Sequence, residues 1–341
     1  MAMDERKQRV LQAIVALYGL EGEPVGSGLL ANYFDMAVSS ATLRNEMAAL
    51  TKLGLLEQPH TSAGRVPSAK GYRYYLDHLL ENNQPLDHET AARIRAAFAG
   101  LDQEPDKLAQ GAAKALAQMT GYTAAVATPR SDDLCVAHYE VVQVGRYAAA
   151  VLAVTSVGYV RTRVAHVNTG FTREQASALA ALLNRSLTFV APADLSAGLL
   201  RAVCAEAGPE LMPVVQAAAA ILQDSARPHV YLGGEQSLLN WPELSGYLQT
   251  LLATLNDEQA AARMISPPTG RTTVFLGEDF APAMPGLCVV SKRYLVGGGL
   301  TGTLALIGPA RMPFPKLIPV LEAFADELGA GMSGRQKEVF K

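Results

Sequence analysis

Residues 39 to 45 read SSATLRN, and four of those side chains, Ser40, Thr42, Arg44 and Asn45, are hydrogen-bonding groups suited to the edges of nucleic-acid bases. A guanidinium matches O6 and N7 of guanine, and a carboxamide matches N6 and N7 of adenine, each through two parallel hydrogen bonds. Bulk matters as much as chemistry, because the first turns of a helix enter a major groove only if their side chains are small. At about 100° per residue, Leu43, Met47 and Leu50 share one face of a helix. Ala41, Asn45, Ala48 and Lys52 lie opposite, flanked by Thr42 and Arg44. The bland alternative is a solvated surface helix, on which Arg and Asn are commonplace.

A second group follows. From Gln58 to Leu76 there is no acidic residue, while Arg65, Lys70 and Arg73 accompany His60, Thr61, Ser62 and Tyr72. Such donors suit phosphate oxygens and the flanking groove, contacts that position a protein without reading sequence. Ser39 and Lys52 complete the candidate set. Tyr74 and Tyr75 suit packing into a domain interface instead. The 341-residue chain carries 29 Lys and Arg against 32 Asp and Glu, a net charge of −3 that by itself argues against a polyanion partner. Between Leu43 and Leu76, however, five basic residues stand against two Glu, a local +3 that leaves −6 elsewhere. The molecule is polarised, and one face can approach phosphate.

These residues need rigid elements beneath them. Asp4 is placed to cap a helix carrying Val10, Ile14, Leu17 and Tyr18 at helical spacing, which Gly19 to Pro24 end. Ser27 can cap a short second helix, GLLANYF. A third begins at Ser39, with Val38 and Leu43 as a hydrophobic staple, and stops at Gly54. LLEQPHTSAGRVP then gives two short extended runs around a Ser-Ala-Gly turn, with Pro59 and Pro67 suited to edge positions. Three helices followed by a hairpin predict a winged helix-turn-helix. SAKGYRYYLDHLL resumes helical spacing, and ENNQPLDHE is a polar, proline-bearing linker.

Downstream, residues 88 to 120 predict alanine-rich helix with a break near Glu104-Pro105. Strand patterns follow in TAAVATP, VAHYEVVQV, RYAAAVLAV and YVRTRVAHV, then an amphipathic helix capped by Thr172. Residues 193 to 265 read as mostly helical around VYLGG, and strands return in TTVFLGED, LCVVSKRYLV and GTLALIGP before the closing helix FPKLIPVLEAFADEL. Strand clusters on both sides of a helical stretch predict an α+β domain split by an insertion. Length alone predicts two or three domains.

Other chemistries find little support. MAMDERKQRV lacks an apolar core segment and no run is long enough for a membrane helix, so the expected location is cytoplasmic, with no membrane partner. Cys135, Cys204 and Cys288 have no C-x-x-C spacing and read as buried thiols; the six histidines form no H-x-x-x-H pair, so neither metal nor cofactor is expected. Gly297 to Gly302 matches G-x-G-x-x-G, but between two extended runs it reads as a glycine-rich hairpin. Asp132-Asp133 and Glu278-Asp279 have no paired carboxylate or base and suit solvated turns, so no enzyme is expected.

The stretch from Val38 to Asp77, preceded by GEPVGS, resembles the heat-inducible transcription repressor HrcA family, as do FLGED, VVSKRY and GTLALIGPARM near the end. Leu43, Glu46, Thr51, Ser68, Ala69 and Leu76 stand where Ile, Asp, Glu, Thr, Asp and Val are expected, and Gly28 where Lys is common. The resemblance implies a winged-helix DNA-binding domain (residues 1–82), a linker (83–90), a GAF-like domain (91–190 and 266–341) and an inserted dimerisation domain (191–265). It further implies a homodimer on the inverted-repeat CIRCE operator of chaperone operons, with activity linked to the chaperonin GroEL. A different reading is a small-molecule sensor with the same winged helix, switched through the GAF-like pocket; Arg146, Arg161, Arg163 and Lys292 are its polar candidates. In a third, the winged helix serves protein contacts only.

Overall fold

The computed structural model describes residues 3–60, 63–80, 86–130, 135–156, 158–225, 227–296 and 300–333. The chain opens with α1 (Glu5–Glu21), α2 (Ser27–Tyr33) and α3 (Ser40–Lys52). Asp4 caps α1 by accepting from the Lys7 N–H, and Ser39 caps α3 by accepting from the Thr42 N–H, as expected. α2 differs, because its N-cap is Gly26, with no side-chain cap, and Ser27 is its first residue. Leu11, Ile14, Leu30, Leu43 and Leu50 are fully buried and join the three helices. Asp35 and Met36, in the turn before α3, adopt left-handed φ of 49° and 58°. That conformation costs about 1–2 kcal/mol for a residue with a Cβ, and the backbone bonds from the Asp35 N–H to the Asn32 carbonyl and from the Met36 N–H to the Ala31 carbonyl hold it.

A hairpin follows, β1 (Leu56–Glu57) with β2 (Val66–Pro67), and Val25 bridges Arg65 through both backbone bonds at 2.9 Å. Two glycines permit this close packing. A Cβ on Gly64 would lie 2.4 Å from the Val25 carbonyl, and one on Gly71 would lie 2.0 Å from the Leu55 oxygen. Gly71 belongs to α4 (Ala69–Tyr74), which Ser68 caps and which widens into a π-helical turn over Tyr75–Leu79.

The centre of the molecule is an antiparallel five-stranded sheet. Its order is β7 (Val230–Gly233), β3 (Thr123–Arg130), β10 (Thr301–Pro309), β9 (Leu287–Leu295) and β8 (Thr273–Leu276). One face, with Val126, Val290, Leu304 and Leu306, packs against α5 (His88–Ala99), α6 (Pro105–Thr120) and α12 (Phe314–Met332). The other, with Ala125, Val289, Ala305 and Ile307, packs against α10 (Leu248–Asn256) and α11 (Glu258–Ile265). Period-2 alternation with both faces covered explains why these strands read as near-continuous apolar runs. β9 and β10 pair antiparallel, as a hairpin requires, while Gly297 to Gly299 lie outside the described residues.

A second sheet stands apart. β4 (Val136–Gly145), β5 (Ala148–Thr155) and β6 (Val160–His166) pair only with one another in the order β4-β5-β6. α7 (Arg173–Leu187), α8 (Ala197–Ala207) and α9 (Met212–Ser225) build a separate core over it around Tyr139, Leu183, Val214 and Leu222. Asn184 fastens α7 to β4, donating to the Tyr139 carbonyl at 2.7 Å and accepting from its N–H at 2.9 Å. The expected interruption at 191–265 therefore differs from the observed partition. The separately packed unit covers 136–225, three strands as well as helices, and residues 230–265 rejoin the central sheet through β7 and α11. Periodicity identifies a strand but carries no record of which distant strand it joins. Overall the chain is mixed α/β.

The helix and hairpin unit is not tethered loosely. One hydrophobic core runs unbroken from Val10, Leu43 and Leu56 through Tyr72 and Leu79 to Phe314 and Phe324 of α12. Tyr72 meets Phe314 edge-on at 6.4 Å, and Arg311 closes the seam by pairing with Glu243 while lying 4.9 Å over the Trp241 ring.

Candidate nucleic-acid interface

α3 carries the candidate reading face. Leu43, Met47 and Leu50 are buried beneath it, whereas Ser40, Ala41, Arg44, Asn45, Ala48 and Lys52 are exposed. Among the described residues, neither Arg44 nor Asn45 has a hydrogen-bond or ion-pair partner, so both heads remain available. Ser39 and Thr42 are partly committed: the Ser39 hydroxyl accepts from the Thr42 N–H at 3.2 Å and sits 2.9 Å from the Thr42 hydroxyl. Their first task is to begin the helix. The N-terminal end also carries the exposed backbone N–H groups and partial positive charge that suit an anion.

The opposite end of α3 is braced by the hairpin. Arg65, half-buried, donates to the Thr51 hydroxyl at 3.1 Å and to the Gly64 carbonyl at 3.5 Å. Lys70 donates to the Leu53 carbonyl at 2.9 Å, and the Ser68 hydroxyl to that of Gly54 at 2.6 Å, which satisfies carbonyls left free by the helix end. His60 is exposed beside the hairpin tip; Thr61 and Ser62 lie outside the described residues. Ser40, Thr42, Arg44 and Asn45 thus occupy the first half of α3, and Arg65 and Lys70 the far end, roughly 15 Å away at 1.5 Å per residue.

Two candidates are corrected. Tyr72 is only 4 % exposed, and burial pushes its hydroxyl well above the ordinary tyrosine range, so it faces the seam and not a ligand. Arg73 reaches across that seam, donating to the Val274 carbonyl at 3.1 Å and pairing with Asp279. Both share an acid-free basic run with Lys70, which is why the sequence predicts interface donors there; the helix turns them toward the seam instead. Tyr75 is likewise buried, its hydroxyl pushed up to about 12 by burial. Two basic residues outside the expected set, Arg6 and Arg9 on α1, also face this region. They line the groove beside Val38 and Leu43, with Arg9 5.8 Å over the Phe34 ring and Arg6 4.0 Å from Glu46. Their i, i+3 spacing was the available signal.

The four cations proposed for a sensor pocket do not converge. Arg161 pairs with Asp106, Arg163 with Asp224, Lys292 with Glu322 at 3.3 Å, and Arg146 lies 5.5 Å over Tyr147. Cys288 is buried, whereas Cys135 and Cys204 are partly exposed, which corrects the reading of all three as buried. Among the described residues no group of three or more His, Cys, Asp or Glu could hold a metal ion, and no helix is long and apolar enough to cross a membrane. Asp132 and Asp133 lie outside the described residues; Asp279 accepts from the Leu276 N–H at 2.8 Å and holds Arg73.

Residues 106–318 match the family model described as HrcA protein C terminal domain. A protein of Moorella thermoacetica is 36% identical over 338 residues, covering 96% of this chain and 97% of its own. One from Desulforudis audaxviator is 34% identical over 331 residues, covering 94% and 96%. The chain belongs to the HrcA family. Both relatives are named heat-inducible transcription repressor, which is not the name of an enzyme. The crystal structure of a hypothetical protein shares the HrcA chain's fold at a TM-score of 0.69, with 21% identity over 98% of this chain and all of that one.

Proposed function

We propose that this HrcA-family chain is a sequence-specific DNA-binding repressor of heat-shock chaperone operons. In this reading residues 3–80 form a winged helix and α3 enters the major groove. Ser40, Thr42, Arg44 and Asn45 meet base edges, while His60, Thr61, Ser62, Lys52, Arg65 and Lys70 serve phosphates and the flanking groove. The observation that carries it is the division of α3, an apolar face fully buried and an outward face of small and hydrogen-bonding side chains with Arg44 and Asn45 free.

The inverted-repeat CIRCE operator requires two copies. The unit at 136–225 is our choice for the dimerisation insertion, because the sheet face turned away from its core exposes Val142, Val144, Val154, Val160 and Val164, and exposed contiguous apolar surface marks association sites. The central sheet with its helices corresponds to the GAF-like domain. The protein acts in the cytoplasm, and its activity is tied to GroEL. A footprint on an inverted-repeat operator, with and without chaperonin, tests the reading. Arg44→Ala or Asn45→Ala is expected to cost about 1–3 kcal/mol per half-site and to relax base preference at one position. Unchanged affinity and preference in both variants refutes the assignment of α3.

A further inference from the structure

Three arginines that are far apart in sequence meet at one end of the central sheet. Arg227 lies on the segment between α9 and β7, Arg263 in the last turn of α11, and Arg293 on β9. With Thr128, Ser266 and Thr301 they line a cavity of about 590 Å³, and no Asp or Glu is among the lining residues. The neighbouring cations of the molecule are neutralised by carboxylates, as Arg161 is by Asp106 and Lys292 by Glu322. Two of these three, Arg263 and Arg293, have no carboxylate partner among the described residues. Arg293 donates to the Pro267 carbonyl at 2.8 Å, and Arg227 stands 3.6 Å from Asp224, a carboxylate already held by Arg163. Arg263 has no partner among the described residues.

We propose that this cavity binds an organic phosphate of about nucleotide size, its phosphates held by Arg227, Arg263 and Arg293. Three guanidiniums that line one cavity, with Asp224 shared between Arg227 and Arg163 as the carboxylate beside them, leave an excess of positive charge, and an anion offsets it while taking paired N–H donors in the fork geometry that phosphate matches. Ser266 and Thr301 also line the cavity, and the Thr128 hydroxyl, which accepts from the His229 N–H at 2.9 Å, retains its own proton to donate to a remaining oxygen. The volume exceeds what a lone phosphate fills and lies within the usual range for small-molecule sites. Position adds a consequence. Arg227 lies on the segment that returns from the 136–225 unit, whereas Arg263 and Arg293 belong to the central sheet and its covering helix, so a bound polyanion bridges the two.

Isothermal titration of the full-length protein with ADP, inorganic pyrophosphate, inorganic phosphate and citrate tests this without DNA, so it stands or falls apart from the operator assay. Expected is saturable binding of ADP that Arg263→Gln and Arg293→Gln each weaken about tenfold or more, while Arg201→Gln on the exposed side of α8 leaves it unchanged. ADP binding more tightly than pyrophosphate supports an organic phosphate; pyrophosphate binding equally well narrows the site to the phosphates alone. Arg263 is exposed, so the melting temperature of its variant is expected to match the parent and to separate lost binding from lost fold. No saturable binding up to millimolar ADP, citrate matching ADP, or equal binding in both cavity variants overturns the proposal.

Discussion

Replacing Tyr72 by phenylalanine separates a residue of the seam from a residue of the proposed DNA face. The Tyr72 hydroxyl is buried and is an unpartnered polar atom among the described residues, while its ring packs edge-on against Phe314. Burying a hydroxyl without a hydrogen bond costs about 1–3 kcal/mol by mutational measures. Tyr72→Phe removes that cost and keeps the ring, so stability is expected to be unchanged or to rise by up to about 1 kcal/mol. Tyr72→Ala removes the ring itself and is expected to cost about 3–5 kcal/mol. The assay is urea unfolding followed by tyrosine and tryptophan emission, alongside a gel-shift titration of operator DNA. A phosphate contact predicts the reverse pattern, with stability intact and affinity reduced. A tenfold fall in affinity for Tyr72→Phe, equivalent to about 1.4 kcal/mol, with no change in unfolding would refute the placement of Tyr72 in the seam.

Two further outcomes follow from the same chemistry. Asp87 caps α5 by accepting from the Thr90 N–H, and that bond holds its carboxyl below the ordinary value of 3.8. A depressed folded-state value means the stabilisation is complete above the unfolded value and is lost as pH falls through the folded one. Protection of the Thr90 and Ala91 amides, taken relative to their intrinsic exchange rate at each pH, should therefore fall as pH drops below 3.8 in the parent but not in Asp87→Asn. Burial pushes the Cys288 thiol upward and removes it from solvent, whereas Cys135 and Cys204 are partly exposed. Native protein should then react with an aromatic disulfide reagent at Cys135 and Cys204 and leave Cys288 unmodified until unfolding; early labelling of Cys288 would contradict the packing of β9.

Local signals were legible wherever the chemistry is local. The caps at Asp4, Ser39 and Thr172, the break at Pro105 and nearly every strand could be read from a few adjacent residues. What could not be read depends on partners remote in sequence. Arg73 and Tyr72 look like their neighbour Lys70 until Asp279 and Phe314 arrive from two hundred residues away. The strands at 136–166 resemble those at 287–309, and only pairing assigns them to different sheets. The three cavity arginines share no motif, because three separate elements deliver them. Local charge was similarly incomplete: residues 1–80 carry eight basic and eight acidic side chains, so the +3 of helix and hairpin is offset within the same unit. Under the proposed function, discrimination between sequences then rests on base contacts, not on electrostatic attraction.

The seam that joins the helix and hairpin unit to α12 and the central sheet has a consequence for two-headed binding. A reading head on a flexible tether finds the second half-site at an effective concentration diluted over the volume that the tether explores. Here Arg73, Tyr72 and a continuous apolar core hold the helix and hairpin unit to the body, so in the dimer that the proposed function requires the spacing of the two α3 helices is set by the body's own dimensions. An operator whose half-sites match that spacing gains the full advantage of simultaneous engagement. One base pair more or less turns the second half-site by about 34° around the duplex, and a rigid body has no slack with which to follow it.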